Sequence, residues 1–187
     1  MRIEDKTFTS VDYTQTTLAR GEYDTCVFQK CNFANVDLSL IVFNDCIFEA
    51  CNLSMAAIRN AAFKTIRFKN CKMLGMRFDQ CQTLLLSFTF ESCQLDFSSF
   101  YKLKIKGTLF KNCSLHEVEF READLTHVCF ENCDLTRSVF ENTNLTGADL
   151  RSAIHFAIDP EQNTVKKMKV ALGGLPGLLE KHNLLIG

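Results

Sequence analysis

Ten cysteines are the residues of this 187-residue chain best suited to binding a metal or forming disulfides. A structural zinc site usually takes two closely spaced pairs. Here Cys26 and Cys31 are five residues apart and Cys129 and Cys133 are four apart, which does not form such a set. Six of the cysteines instead recur about every 20 residues. We therefore expect the thiols to act as small apolar fillers of a core, with disulfide or metal chemistry as the less favoured alternative and no metal site assigned.

The histidines give no indication of a catalytic site. His116, His127, His155 and His182 are scattered, and none is paired with a carboxylate or a nucleophile in a recognisable motif. The motifs of serine hydrolases, zinc proteases, P-loop proteins and dinucleotide-binding folds are also absent from the sequence. The sequence therefore predicts a protein that is not an enzyme and that uses no cofactor.

Carboxylates are concentrated in one stretch near the end of the chain. Residues 117–149 carry eight acids against two bases, whereas residues 26–90 carry four acids against seven bases. A rigid acidic surface can compete for a basic groove with DNA, which presents one negative charge per about 1.7 Å of duplex. The alternative is a solvated face that keeps the protein soluble. The candidate partner-binding acids are Glu117, Glu119, Glu122, Asp124, Glu131, Asp134, Glu141 and Asp149.

The sequence repeat that must position these residues has a period of five. Large apolar side chains occupy every fifth position from Ile3 to Phe78 and again from Phe90 to Leu150, and cysteine or alanine often stands two positions earlier. This period fits neither a helix at 3.6 residues nor a strand at 2. It fits a coil that turns a corner every five residues, with four sides in each turn.

A second period, of 20 residues, supports the four-sided coil. The Phe-rich ladder that begins with Phe8 and Phe28 keeps a spacing of 20 except for one interval of 22, between Phe68 and Phe90. We therefore expect like side chains to lie above one another in successive turns. The two extra residues should form a surface bulge near residues 84–89.

These repeats resemble those of the pentapeptide-repeat family, most clearly over residues 144–153. The resemblance covers residues 3–153 and implies an all-β fold, a right-handed quadrilateral parallel β-helix with a short C-terminal helical cap. We accordingly divide the chain into a β-helix, residues 1–153, and a C-terminal cap and dimerisation segment, residues 154–187. Residues 175–183 are predicted to form a short helix, with Pro176 near its first turn.

The C-terminal segment is richer in leucine than a cap alone requires. A two-fold dimer would bury these side chains, as symmetric homodimers commonly do. The alternative is that they all pack onto the last turn of the coil. The residues assigned to the dimer interface are Leu172, Leu175, Leu178, Leu179, Leu184, Leu185 and Ile186.

Within the family, the chain resembles the branch that contains the Qnr-type quinolone-resistance proteins and the microcin B17 immunity protein. The resemblance lies in residues 93–115, in the interruption before them, and in the ending around Asp159, Pro160 and Glu161. It implies a homodimeric DNA mimic that binds DNA gyrase and topoisomerase IV and protects them from a topoisomerase poison, without contacting nucleic acid itself. By position alone, the bulge is assigned to Leu84, Leu85, Leu86 and Ser87.

Three features depart from that branch. The net charge is only −1, the first half of the chain is positive, and the bulge is far shorter than the projecting loops that some Qnr-type proteins use. Gyrase binding without drug protection is therefore one alternative. Another is a protein-binding scaffold or regulator with no role at a topoisomerase, because repeat surfaces are easily reused.

The chain shows no targeting or membrane segment. Its start carries Glu4 and Asp5 and leads into no apolar stretch, and its longest apolar runs are far too short to span a bilayer. The sequence therefore predicts a cytoplasmic protein that does not enter a membrane.

Overall fold

The computed structural model describes residues 1–185, and it confirms the four-sided parallel coil. Eleven short strands form two parallel sheets. One sheet joins β1, β3, β5 and β7, and the other joins β2, β4, β6, β8, β9, β10 and β11. The strands are β1 Arg2–Glu4, β2 Thr7–Thr9, β3 Glu22–Asp24, β4 Val27–Gln29, β5 Val42–Asn44, β6 Ile47–Glu49, β7 Ala62–Lys64, β8 Ile66–Lys69, β9 Phe88–Glu91, β10 Leu109–Lys111 and β11 Cys129–Glu131.

The other two sides of the coil are linked by isolated parallel bridges instead of continuous strands. One side runs through Asp12, Asn32, Asn52 and Lys72 to Ser114 and Asp134, and the other includes Arg77, Ser99 and Glu119. We number the sides in chain order. Face 1 holds β1, face 2 holds β2, face 3 holds the bridge at Asp12, and face 4 holds the bridge at Asp37.

Most corners of the coil use a residue in the left-handed conformation. Lys30, Asn70 and Asn112, for example, have φ between 52° and 54°. This conformation costs a non-glycine residue about 1–2 kcal/mol. Most of these corners recover a hydrogen bond to the next turn, as where the Lys30 N–H donates to the Glu49 carbonyl at 2.8 Å. The corner residues are therefore held by the stacking of turns and not by local preference.

The ladder of like side chains fills the axis of the coil. Phe110 is fully buried and stacks between Phe90 and Phe130, with ring centroids 5.0 and 5.2 Å apart. Rings on opposite faces meet edge to face across the axis, as Phe110 of face 2 and Phe100 of face 4 do at 5.8 Å. Such pairs contribute about 0.5–1.5 kcal/mol each beyond the burial of their area. The ladder is thus a continuous aromatic core with offset stacks along the axis.

Nine of the ten cysteines are buried beside this ladder, and none forms a disulfide. Eight of these nine thiols donate to backbone carbonyls of the turn before, as Cys51 does to Phe28 at 3.2 Å. Burial raises the pKa of Cys46 to about 12, so its thiol stays protonated. Cys129, the tenth, lies on the outer side of β11 and is only partly buried.

The two-residue slip falls on face 1, after a 3-10 turn at Phe78–Gln80 that replaces the usual left-handed corner. The Gln82 N–H still donates to the Ala61 carbonyl in the regular register, but Ile66 pairs with Phe88, 22 residues on. Residues 83–87 therefore replace three residues of the turn before, and we call them the insertion loop. The sheet on face 1 ends at β7, whereas the sheet on face 2 continues past the loop to β11.

The coil continues beyond residue 153, where the sequence places its end. Parallel bridges join Asn144 to Thr164 and Asp149 to Lys169, because these residues still keep the spacing of 20. The cap follows, with a 3-10 turn at Leu172–Gly174, helix α1 at Pro176–Leu179 and a second 3-10 turn at Glu180–His182. The helix is shorter than the sequence predicts, and two helical turns of tighter pitch flank it.

Two glycines let the cap lie against the last turn. A Cβ on Gly177 would collide with the Phe156 carbonyl oxygen, and one on Gly174 would come within 2.8 Å of the Phe156 ring. The Ile158 N–H donates to the Gly177 carbonyl at 2.9 Å, and Lys181 pairs with Asp159 at 2.8 Å. The cap is thus fixed to the coil by backbone as well as charged contacts.

Candidate partner-binding surfaces

The eight acids predicted to bind a partner surround the coil instead of lining one side. Their side chains all point outward, with Glu117 and Glu122 among the most exposed. Glu131 and Asp149 lie on face 2, Asp134 on face 3, Glu119 and Glu141 on face 4, and Asp124 on face 1. The structure therefore brings them together as a collar around the coil, which we call the acidic collar.

Every member of the acidic collar is within ion-pair distance of a basic group. Lys102, Lys106 and Lys111 reach Glu122, Asp124 and Glu131 from the preceding turn, at 3.1–3.4 Å. A count along residues 117–149 shows only Arg121 and Arg137 as bases, because the three lysines stand one turn earlier in the sequence. The remaining pairs are Arg137 with Glu117, Arg121 with Glu119 and Glu141, His116 and His155 with Asp134, and Arg151 with Asp149.

The three aspartates of the collar also have a structural role. A carboxylate oxygen of Asp124, Asp134 and Asp149 accepts the backbone N–H two residues later, at 3.0–3.2 Å. This is an Asx turn, and it stabilises the bend between two faces. The aspartate preference at this slot therefore reflects the fold. The glutamates are the collar members best placed to meet a partner.

Asp134 has the most perturbed carboxyl group of the collar. Partial burial acts to raise its pKa, but hydrogen bonds from Thr136, His155 and His116 outweigh that effect and hold the pKa well below its ordinary value. The carboxylate is therefore charged across the physiological range, and each histidine adds positive charge beside it when protonated.

A second acidic area lies on face 1 of the first three turns, and no run of acids along the chain indicates it. Five acids stand there against Arg2 alone, with Arg2 paired to both Glu4 and Asp24. Only the assignment of residues to faces shows the cluster, since basic residues on other faces hide it in a count along the chain. Its members are Glu4, Asp5, Glu22, Asp24 and Asp45.

The four residues assigned to the bulge differ in what they contact. Leu84 and Leu85 are 71% and 70% exposed. Leu86 packs partly against the core, and Ser87 bonds to Phe63 and Ile66 through its backbone at 3.2 and 2.9 Å. Of these four residues, Leu84 and Leu85 therefore project from the rod.

The leucines assigned to a dimer interface fall into two groups. Leu178 packs against the core, whereas Leu172, Leu184 and Leu185 stand in solvent and Leu175 and Leu179 are about two-fifths exposed. Ile154, on the last turn, adds a further exposed apolar side chain. Ile186 lies outside the described residues. The cap thus carries an uncovered apolar surface in the single chain.

Within residues 1–185 no group of three or more His, Cys, Asp or Glu side chains is arranged to hold a metal ion. Among the helices of that same stretch, none has the length and apolar character needed to cross a bilayer.

Comparison with known proteins places the chain in a family. Residues 21–89 and 85–154 match the family described as pentapeptide repeat region, which is more than half of the chain. No curated protein matches it. A trypsin-treated variant of QnrB1, a plasmid-mediated fluoroquinolone resistance protein, has a similar structure, with a TM-score of 0.77 and 19% identity over all of this chain and 92% of that chain. A second trypsin-treated variant of QnrB1 has a TM-score of 0.66 and 17% sequence identity over the whole of both chains. At these identities the similarity to QnrB1 shows the fold alone. Because the family match covers more than half of the sequence, the chain belongs to the pentapeptide-repeat family.

Proposed function

We propose that this protein binds a bacterial type II topoisomerase, DNA gyrase or topoisomerase IV, in the cytoplasm and protects it from a quinolone or a peptide toxin. The observation that supports this most is the fold shared with QnrB1 along the whole chain, at a TM-score of 0.77. Type II topoisomerases are the targets of fluoroquinolones, and QnrB1 is described as a resistance protein against them. The proposed mechanism is binding alone, with no covalent step and no direct contact with nucleic acid.

The acidic collar supplies the proposed contact. Residues 117–162 carry ten acids against three bases, and the collar glutamates point into solvent. A basic groove built for DNA would attract them, since surface potentials of opposite sign speed association and favour the complex. The ion pairs weaken this attraction without abolishing it, because a basic groove can replace the exposed lysines and arginines that now face the carboxylates.

A homodimer formed by the cap would double this surface. The exposed side chains of Leu172, Leu184 and Leu185 are of the kind that obligate interfaces bury. A two-fold axis at the cap would place the collars of two rods on either side of it. Light scattering should give the mass of a dimer for the wild type and of a monomer for Leu172→Ser with Leu185→Ser.

The ion pairing favours a second candidate, a protein-binding scaffold without a topoisomerase role. Each of the eight collar acids has a basic partner within 3.4 Å, so the collar can be read as the solvated outer surface of a stable coil. Inhibition of supercoiling distinguishes the two candidates, since a scaffold would leave it unchanged.

The test measures supercoiling by purified gyrase with increasing protein, with and without a fluoroquinolone. Replacing Glu117, Glu122, Glu131 and Glu141 by Gln removes four charges and keeps the Asx turns. Each exposed contact contributes about 0.5 kcal/mol to the free energy of binding, so the loss of four weakens binding by about 2 kcal/mol. The concentration of protein that half-inhibits supercoiling should therefore rise roughly 30-fold.

A matched control replaces four glutamates elsewhere by Gln, at Glu4, Glu22, Glu49 and Glu91. This control should inhibit as the wild type does. An equal loss in both variants would show that overall charge and not the collar matters, and no effect of the wild type on either topoisomerase at micromolar concentration would contradict the proposal.

A further inference from the structure

Charge is segregated along the rod in a way that the net charge of −1 conceals. Residues 1–49 carry eight acids against four bases, and residues 117–162 carry ten acids against three bases. Between them, residues 50–116 carry ten bases against three acids, a net charge of +7. We call this middle section the basic waist. It holds the insertion loop, so the part of the rod that departs from regular geometry is also its most positive part.

The loop is apolar and the cations are next to it. Residues 81–90 contain no charged side chain. On face 1, Lys64 stands in the turn before the loop, and Lys104 and Lys106 stand in the turn after it. Lys106 pairs with Asp124 at 3.1 Å, whereas Lys64 and Lys104 make no ion pair within residues 1–185. Two exposed leucines are thus bordered by free ammonium groups.

The backbone holds the two leucines away from the rod. Leu85 has a φ of 58°, in the left-handed region, and the chain returns through Leu86, which packs against the core. The loop is anchored on both sides, by the bond from Gln82 to Ala61 at 2.8 Å and by the bonds of Ser87. A fixed apolar tip loses less conformational entropy on binding than a mobile loop would.

We propose that Leu84 and Leu85 dock into an apolar pocket of a protein partner and that carboxylates around this pocket meet Lys64 and Lys104. Charge complementarity selects an acidic protein as the occupant. A nucleic-acid backbone would set phosphates against the leucines, and a second copy of the chain would bring lysines against lysines at this face. The inference goes beyond the proposed function, because the acidic collar needs a basic groove and this site needs an acidic one.

The test is photo-cross-linking in the bacterial cell, with benzoylphenylalanine replacing Leu85 and, as a control, Ser10 at an exposed corner of the first turn. The cross-linked peptide is then identified by mass spectrometry. We expect one protein adduct at position 85, on a stretch where apolar residues lie beside Asp or Glu. The double variant Lys64→Glu with Lys104→Glu should lower its yield about tenfold. Lys6→Glu with Lys30→Glu, the same change on exposed lysines outside the waist, should leave the yield unchanged.

Each other outcome overturns the inference. These are adducts only with DNA, with phospholipid or with a second copy of the chain, a contacted surface that is basic, and no adduct above the Ser10 control. The result is separable from that for the proposed function. An acidic partner unrelated to topoisomerases would support this site and leave the supercoiling test to decide the other, and equal melting temperatures of the variants would exclude unfolding as the cause of a lost adduct.

Discussion

Replacing Phe110 by alanine tests the aromatic ladder at its centre. The side chain is fully buried, stacks on Phe90 and Phe130, and meets Phe100 and Phe120 edge to face at 5.8 and 6.3 Å. Alanine would remove all four ring contacts and leave a cavity that the hydrogen-bonded turns on either side cannot close. The perturbation is therefore large although it touches no charged group.

The magnitude follows from the burial. Truncating a buried Phe to Ala usually costs about 3–5 kcal/mol, and the four lost ring pairs place Phe110 near the upper end of that range. For a chain of this size, about 4 kcal/mol lowers the melting temperature by roughly 8–16 °C. Phe8 provides a matched control, since it stacks on Phe28 alone at 4.9 Å, meets Tyr23 at 6.0 Å, and is only partly buried. We expect Phe8→Ala to cost about 1–2 kcal/mol.

Both variants should be compared with the wild type by calorimetry and by guanidinium unfolding followed by circular dichroism. Because each turn contacts only its neighbours, a weakened central turn can also split the transition in two. A cost for Phe110→Ala below 1 kcal/mol, or one no greater than that of Phe8→Ala, would refute the ladder as the source of stability.

Three further outcomes are expected. Gly177→Ala should speed hydrogen exchange at the Ile158 amide by about tenfold, because the new Cβ meets the last turn, whereas Gly173→Ala, with no atom within 4 Å of its Cβ, should not. In native protein at pH 8, a disulfide reagent should modify one thiol, Cys129, and only slowly, since partial burial and nearby carboxylates raise its pKa. All ten thiols should react in guanidinium, and rapid reaction of several native thiols would contradict their burial. The lowered pKa of Asp134 adds stability that is fully present well above 3.8, the ordinary pKa of the group, and is lost progressively as the pH falls through that value. The stability difference between wild type and Asp134→Asn, measured by urea unfolding, should therefore shrink between pH 5 and pH 2, and a difference that is constant with pH would show that the carboxylate charge contributes nothing.

The ladders were predictable because stacking turns impose a strict spacing on the large side chains. Counting in steps of 20 aligns the phenylalanines of the ladder from Phe8 to Phe130. The one irregular interval, of 22 residues, locates the insertion to within a few residues. The corner conformations were not predictable in the same way. Leu40, Met55 and Phe97 are left-handed because of their place in the coil, against the local preference of their side chains.

The electrostatics of the surface could be predicted only in part. A count along the chain found the acids at Glu117 and Glu131, but their partners Arg137 and Lys111 lie one turn away and become neighbours only when the coil closes. The same limitation applies to the acids on face 1. Charge patterns in a repeat coil must therefore be read down each face, with the insertion taken into account.

The insertion loop has a consequence for how this molecule can change over evolution. Two residues were accommodated on one face while the turns above and below kept their vertical alignment on the others, as the pairing of β8 with β9 shows. A gene that gained further codons at this point would lengthen the projecting loop without disturbing the aromatic axis. An engineer could graft a recognition peptide between Leu84 and Leu85 for the same reason, whereas an insertion of equal length inside β9 or β10 would displace the residues that stack.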